Sequence, residues 1–161
     1  MSVFNQSRSN ITSGGLGTMG FALPAAIGAK FGAPERPVIA IAGDGGFQMT
    51  IQELGTIMQT NLDVKIIVLN NEFLGMVRQW QELFNDKRYS FVDIQSPDFV
   101  EVAKAYRIAG EKVTDRKTLK QALKNMLTHP DAYLLEIMVG KENNVFPMVP
   151  QGCSVSEIRL S

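Results

Sequence analysis

The stretch "VIAIAGDGGFQMTIQELGTIMQTNLDVKIIVLNN", residues 38–71, decides the fold. It opens on a short apolar run, "VIAIA" (38–42), and closes on a second, "VKIIVLN" (64–70). Neither run alternates cleanly between apolar and polar residues, so both predict strands covered on both faces, as in parallel sheets. The residues between them predict a helix. Thr50 and Glu53 have the spacing of a capping box, and Ile51, Leu54 and Met58 follow on one face. Where the first strand stops, "GDGG" (43–46) sets a carboxylate, Asp44, among glycines.

The same grammar extends outward. "YLLEIMV" (133–139) predicts a third strand of the same kind, and "RIAGEKV" (107–113) a weaker fourth. Ser96-Pro97 has the form of a cap and first turn, with Phe99, Val102, Ala103 and Tyr106 at helical spacing behind it. Asp115 can cap a further helix carrying Leu119, Ala122, Leu123, Met126 and Leu127, which "THP" ends. Strands alternating with helices imply right-handed crossovers and an α/β fold, a three-layer α/β/α sandwich around a mostly parallel sheet. Two stretches fit no element. Residues 71–95 mix polar and aromatic side chains, and residues 140–161 carry Pro147, Pro150 and Gly152. Such segments more often cover a site than build a core. The opening "MSVFNQSRSN" (1–10) reads as a ragged start before a main domain over 11–140, with 141–161 as a tail capping the site. A doubly wound sheet normally begins with a strand, so the chain reads as truncated at its N-terminus.

Composition narrows the class of function. The chain has 161 residues, enough for one domain with a real core. Its 16 basic and 16 acidic residues cancel, which gives no reason to expect nucleic acid or an anionic membrane surface as a partner. No apolar run is long enough to span a bilayer, and no secretory signal opens the chain. The one cysteine, Cys153, cannot form an internal disulfide. A soluble, cytoplasmic domain is the expectation.

Ligands of open α/β sheets bind beyond the carboxyl ends of the strands. Asp44 follows one strand and Asn71 the next, so parallel neighbours would bring both to one crevice. A carboxylate and an amide oxygen are hard ligands that suit Mg²⁺ or Ca²⁺ rather than zinc. Gly45 and Gly46 would let backbone N–H groups approach a phosphate at the start of the following helix. An isolated "GDGG" is also an ordinary turn, and only its pairing with "NN" favours a site. A Walker loop is excluded because no Lys-Ser or Lys-Thr follows the glycines, and the third glycine of the dinucleotide fingerprint is missing. His129, before a proline at a helix end, reads as a solvated cap residue. Cys153 has no basic neighbour that would make it a nucleophile.

"GDG" followed by "NN" is similar to the signature of thiamine-diphosphate enzymes. The segments "ITSGGLGTMGFALPAAIGAK" (11–30), "GDGGFQMTIQEL" (43–54), "LNNEFLGMVRQWQ" (69–81), "PDFVEVAKAYR" (97–107) and "FPMVPQG" together resemble the C-terminal domain of acetohydroxyacid (acetolactate) synthase catalytic subunits. That resemblance implies Mg²⁺ held by the side chains of Asp44 and Asn71 and the backbone carbonyl of Phe73. It implies a diphosphate lined by Gly45, Gly46, Gly75 and Met76, and cofactor rings met by Gly17 and Met19, with Met49 flanking them. The methionines would otherwise read as flexible core filler. Val77 and Trp80 would shape the substrate channel, where Trp80 alone would read as a half-buried aromatic under a loop.

The reaction implied is decarboxylation of pyruvate and transfer of the two-carbon unit to a second 2-keto acid, pyruvate or 2-ketobutyrate. It opens the synthesis of the branched-chain amino acids isoleucine, valine and leucine. The family also implies FAD on a further domain, an activating glutamate from the N-terminal domain of a partner subunit, a homodimer or homotetramer, and a small regulatory subunit. No catalytic residue is therefore expected in this chain, and alone it is expected to be inactive. The alternatives are another thiamine-diphosphate-dependent 2-keto acid decarboxylase or carboligase, against which "GMVRQWQ" argues, and a non-enzymatic phosphate-binding module.

Overall fold

The computed structural model describes Phe4 and residues 6–160. Its elements are α1 (Ala22–Gly32), β1 (Ile39–Gly43), α2 (Asp44–Gln48), α3 (Leu54–Thr60), β2 (Lys65–Asn70), α4 (Gly75–Phe84), α5 (Phe99–Ala105), β3 (Ala109–Val113), α6 (Arg116–Thr128) and β4 (Tyr133–Met138). Short 3₁₀ turns lie at Gly14–Leu16, Ile51–Glu53 and Val155–Glu157. The chain divides into two compact units, residues 1–70 with 96–139 and residues 71–95 with 140–161.

All four strands belong to the first unit and form one parallel sheet in the order β1-β2-β4-β3. All four were predicted, with ends shifted by one or two residues. Because side chains alternate across a strand, the inner strands β2 and β4 feed two cores, while β1 and β3 each feed one. Ala40, Ile66, Val68 and Leu134 join Leu23 and Ile27 of α1, Phe47 of α2, Leu54 and Ile57 of α3, and Phe99 and Ala103 of α5. The Phe47 and Phe99 rings meet edge to face at 5.4 Å. Val113, Tyr133 and Leu135 face the other way, onto Ala122 and Met126 of α6. The fold is thus the expected helix–sheet–helix layering. The α6 layer packs against β3 and β4, and on edge strand β1 Ile39 and Ile41 stay 44% and 60% exposed.

Helix ends correct two expectations. Thr50 caps nothing through its side chain; its hydroxyl donates to the Gly20 carbonyl at 3.0 Å, and Glu53 accepts from Thr56 instead. Ser96 is not the cap of α5 either. Asp98 is, accepting from the backbone N–H groups of Val100 and Glu101 at 3.0 Å each. Asp115 caps α6 as expected, accepting from Lys117 N–H. Within the predicted stripes, Met58 and Leu127 end exposed and Ile57 takes a core place. Helix α1, opened by "ALPAA", was not anticipated as a helix.

The second unit holds the two stretches that fitted no element. Residues 75–84 within them form α4, a correction to the sequence reading. Its inward residues are polar: Arg78 and Gln79 are buried. Gln79 closes a two-way bridge to Val145, donating to its carbonyl at 3.0 Å and accepting from its N–H at 2.7 Å. Arg78 pairs with Glu82 at 3.0 Å and lies over the Tyr89 ring at 5.0 Å. The Tyr89 hydroxyl donates to Glu82 at 3.0 Å, which holds that carboxyl below the usual range. Burial, reinforced by the same bond, pushes the Tyr89 phenol up.

Candidate functional site

In the first unit the site is built on the carboxyl end of β1. Gly43 ends the strand in extended backbone, and Asp44 opens α2 with only 1% of its surface exposed. A carboxylate that deep is costly unless hydrogen-bonded. Its Oδ2 accepts from the Ser96 hydroxyl at 2.9 Å, and Ser96 Oγ accepts from Gln48 at 3.4 Å. The glycine-rich segment before α1 is tied to the same place. Gly20 has φ +84°, and a Cβ there would come within 3.2 Å of both Met49 and Thr50, so glycine alone fits without displacing them. Gly46 is also close, since a Cβ there would lie 3.7 Å from the Gly20 backbone nitrogen. The fold thereby gathers Asp44, Gly45, Gly46 and Met49 with the segment carrying Gly17 and Met19. Met19 and Met49 are 45% and 54% exposed, whereas Met126 has no exposed surface. These two are surface methionines rather than core filler.

In the second unit the chain leaves β2 through Asn71. Its amide oxygen accepts from Phe73 N–H at 3.1 Å, closing a turn over Glu72. Glu72 has φ +57°, a left-handed conformation that costs a non-glycine residue about 1–2 kcal/mol. Such strain persists only where neighbours hold it, and it concentrates at functional positions. Here the holders are Lys141, which donates to Glu72 at 2.5 Å, and Ile94 N–H, which bonds the Glu72 carbonyl at 3.0 Å. That partner raises the Lys141 pKa. Phe73 forms a bridge to Asp93. A Cβ on Gly75 would sit 3.3 Å from the Asn71 amide nitrogen, so this glycine is a seat for the amide. Met76 and Val77 are exposed on the first turn of α4, and Trp80 is half-buried with its ring 4.8 Å from Phe84.

The donor set fits a hard cation. An amide oxygen has two lone pairs, so the bond to Phe73 does not exhaust Asn71 as a ligand. Among the described residues, no three His, Cys, Asp or Glu side chains group as a metal site. The oxygens each unit offers, the Asp44 carboxylate in the first and the Asn71 amide in the second, are of the kind that Mg²⁺ accepts beside phosphate and water oxygens. Ser96 and Gln48 were missed because Ser96-Pro97 looked like a helix start. The signal lay in Asp98, which with Glu101 is the better cap pair and releases Ser96 for Asp44. His129 ends α6, its Nδ1 paired with the N–H of Asp131, and Cys153 is exposed.

A buried aspartate and a glycine-rich turn at the carboxyl end of a parallel strand stand where open α/β sheets bind their ligands. The family described as thiamine pyrophosphate enzyme, C-terminal TPP binding domain, matches residues 1–137, and the chain belongs to it. It is 48% identical over 149 residues to the acetolactate synthase isozyme 2 large subunit of Escherichia coli, covering 92% of this chain and 27% of that protein. To the mitochondrial acetolactate synthase catalytic subunit of Aspergillus candidus it is 49% identical, covering 93% of this chain and 22% of that protein. Among solved structures, the thiamine diphosphate-dependent 4-hydroxybenzoylformate decarboxylase of Rhodococcus jostii superposes with a TM-score of 0.72 at 33% identity, over 78% of this chain and 24% of that one. The chain spans about a quarter of the length of the curated relatives it matches. Among the described residues, no helix is long and apolar enough to cross a membrane.

Proposed function

We propose that this chain is the cofactor-binding domain of an acetolactate synthase, serving decarboxylation of pyruvate and carboligation to pyruvate or 2-ketobutyrate on the route to branched-chain amino acids. One observation carries the choice among thiamine-diphosphate enzymes. Identity to the acetolactate synthase large subunit is 48% across nearly the whole chain, against 33% to the decarboxylase.

In this reading Asp44, Asn71 and the Phe73 carbonyl hold Mg²⁺, and Gly45, Gly46, Gly75 and Met76 line the diphosphate. Gly17, Met19 and Met49 meet the rings, and Val77 and Trp80 border the substrate's approach. Thiamine diphosphate, when bound, supplies the carbon nucleophile and the electron sink of 2-keto acid chemistry. The chain's own residues hold and orient. Ser96 fixes the Asp44 carboxylate before the metal arrives, so little ordering remains to be done on binding. The Asn71–Phe73 turn presents two oxygens from a segment already locked by Lys141 and Ile94. Small residues at 45, 46 and 75 let the backbone itself approach an anion. Proton transfer at the cofactor, FAD and subunit contacts, including any regulatory subunit, are assigned to the part of the relatives' length that this chain does not span. Alone, the chain is expected to bind without turning over.

The test is calorimetric titration with thiamine diphosphate, with and without Mg²⁺, beside Asp44→Ala. Binding that requires Mg²⁺ and drops at least about tenfold in the variant, the loss of one charge-assisted ligand, is the expected result. Equal, Mg²⁺-independent binding by both proteins would refute the metal–diphosphate assignment.

A further inference from the structure

Glu136 lies in the middle of β4, on an inner strand of the sheet, with no exposed surface. Burying a carboxylate costs several kcal/mol by order of magnitude, and an apolar residue of similar size usually serves stability as well or better. Its partners are few. Oε1 accepts from the Asn70 side-chain amide at 2.8 Å and from Lys112 at 2.9 Å, while Oε2 has no hydrogen-bond partner among the described residues. A buried carboxylate satisfied on one oxygen only is a poor stabiliser, so its presence points to what it holds.

What it holds is the end of β2. Asn70 is 2% exposed, clamped through its side chain by Glu136 and through its carbonyl by Val139 N–H at 2.9 Å. The next residue is Asn71, and the one after it is Glu72, strained at φ +57°. A strained turn keeps its shape only if the chain is fixed on both sides of it. Downstream, the bridge between Phe73 and Asp93 does this. Upstream, the fixed point is Asn70. We propose that Glu136 is a positioning residue for the Asn71–Phe73 turn: by clamping Asn70 it sets where Asn71 departs from the sheet, and so the aim of a metal ligand. The last clause rests on the metal assignment above; the positioning of the turn does not.

The consequence is visible without any metal. In the 161-residue chain, amide hydrogen exchange at Phe73, whose N–H bonds Asn71, is compared with that at Ala103, in helix α5 of the main core. Glu136→Leu should raise the Phe73-to-Ala103 ratio about tenfold, the loss of one charge-assisted hydrogen bond. Asn70→Ala, which leaves Glu136 its lysine, should do the same. Glu136→Gln, still able to accept from Asn70, should restore most of the wild-type ratio. Lys112→Met should lower overall stability and leave the ratio unchanged. An unchanged ratio in Glu136→Leu and Asn70→Ala, or the same rise in Lys112→Met, would overturn the proposal and reduce Glu136 to half of a buried ion pair. Mn²⁺ affinity, read by electron paramagnetic resonance on the same proteins with thiamine diphosphate present, should fall in step with the ratio. If the ratio moves as expected while the wild type binds no Mn²⁺, the metal assignment fails and the positioning stands.

Discussion

The two units of this chain are held by different chemistry. The first is glued by aliphatic and aromatic side chains on both faces of a sheet, with Leu54, Ile66, Val68, Phe99, Leu134 and Leu135 showing no exposed surface. In the second, Arg78 and Gln79 occupy the buried face of α4, and specific hydrogen bonds do the fastening. Hydrophobic burial is non-directional and tolerates motion, whereas a hydrogen-bonded core holds one geometry or none. The first unit rests on a core that forms regardless of small errors. The second depends on a few polar contacts being right.

The widest separation between the units should come from core truncation. Phe99→Ala should destabilise the sheet unit by about 3–5 kcal/mol, seen as a large fall in the denaturant midpoint. A loss under about 1 kcal/mol would deny the sheet its role as principal core. Gln79→Ala should cost about 1–3 kcal/mol, the penalty for leaving the Val145 groups unpaired. That loss should be confined to residues 71–95 and 140–161, where limited proteolysis and exchange would report it. A matching drop throughout the chain would mean that the two units unfold as one. Asp98→Ala should remove about 1 kcal/mol by uncapping α5. Ser96→Ala should leave α5 intact and disturb only the Asp44 carboxylate; equal helix loss in both would return Ser96 to the role of cap.

The smallest effect is a titration. Tyr133 is buried and its hydroxyl donates to Glu111 at 3.1 Å. Burial first, and that bond second, push its phenol up to about 12 from the ordinary value near 10. A raised folded-state pKa means that the contribution is fully present below about pH 10 and is lost as pH rises toward 12. Ultraviolet titration should therefore find Tyr133→Phe lacking the last phenol to ionise. Loss of an earlier step would contradict the burial of Tyr133.

The same contrast explains what could be read from sequence. All four strands, the capped α6 and the Phe99–Ala103 stripe were legible because apolar periodicity records which face is buried. Helix α4 was not, since its pattern is inverted: Met76 and Val77 face solvent while Arg78 and Gln79 face inward. The placing of Asp44 and Asn71 at strand ends was legible because a carboxylate among glycines and a paired amide each follow an apolar run. Ser96 and Glu136 were not. One has a residue type that also begins helices, and the other sits inside "YLLEIMV", where a single acidic letter does not break an otherwise apolar run. Neither reveals its partner until residues far apart in the chain are brought together.

The strand order β1-β2-β4-β3 also governs when the fold can form. The last strand made, β4, takes an inner place and supplies both neighbours with their hydrogen bonds. During synthesis, β3 waits for a template that lies downstream of it, and β1 and β2 form an isolated pair until residues 133–138 arrive. A chain stopped at Pro130 should be digested as readily as an unfolded one, whereas protease resistance at that length would show that the sheet needs no keystone. The strand that closes the sheet also carries Glu136, so the clamp on the end of β2 arrives in the same stroke that completes the core.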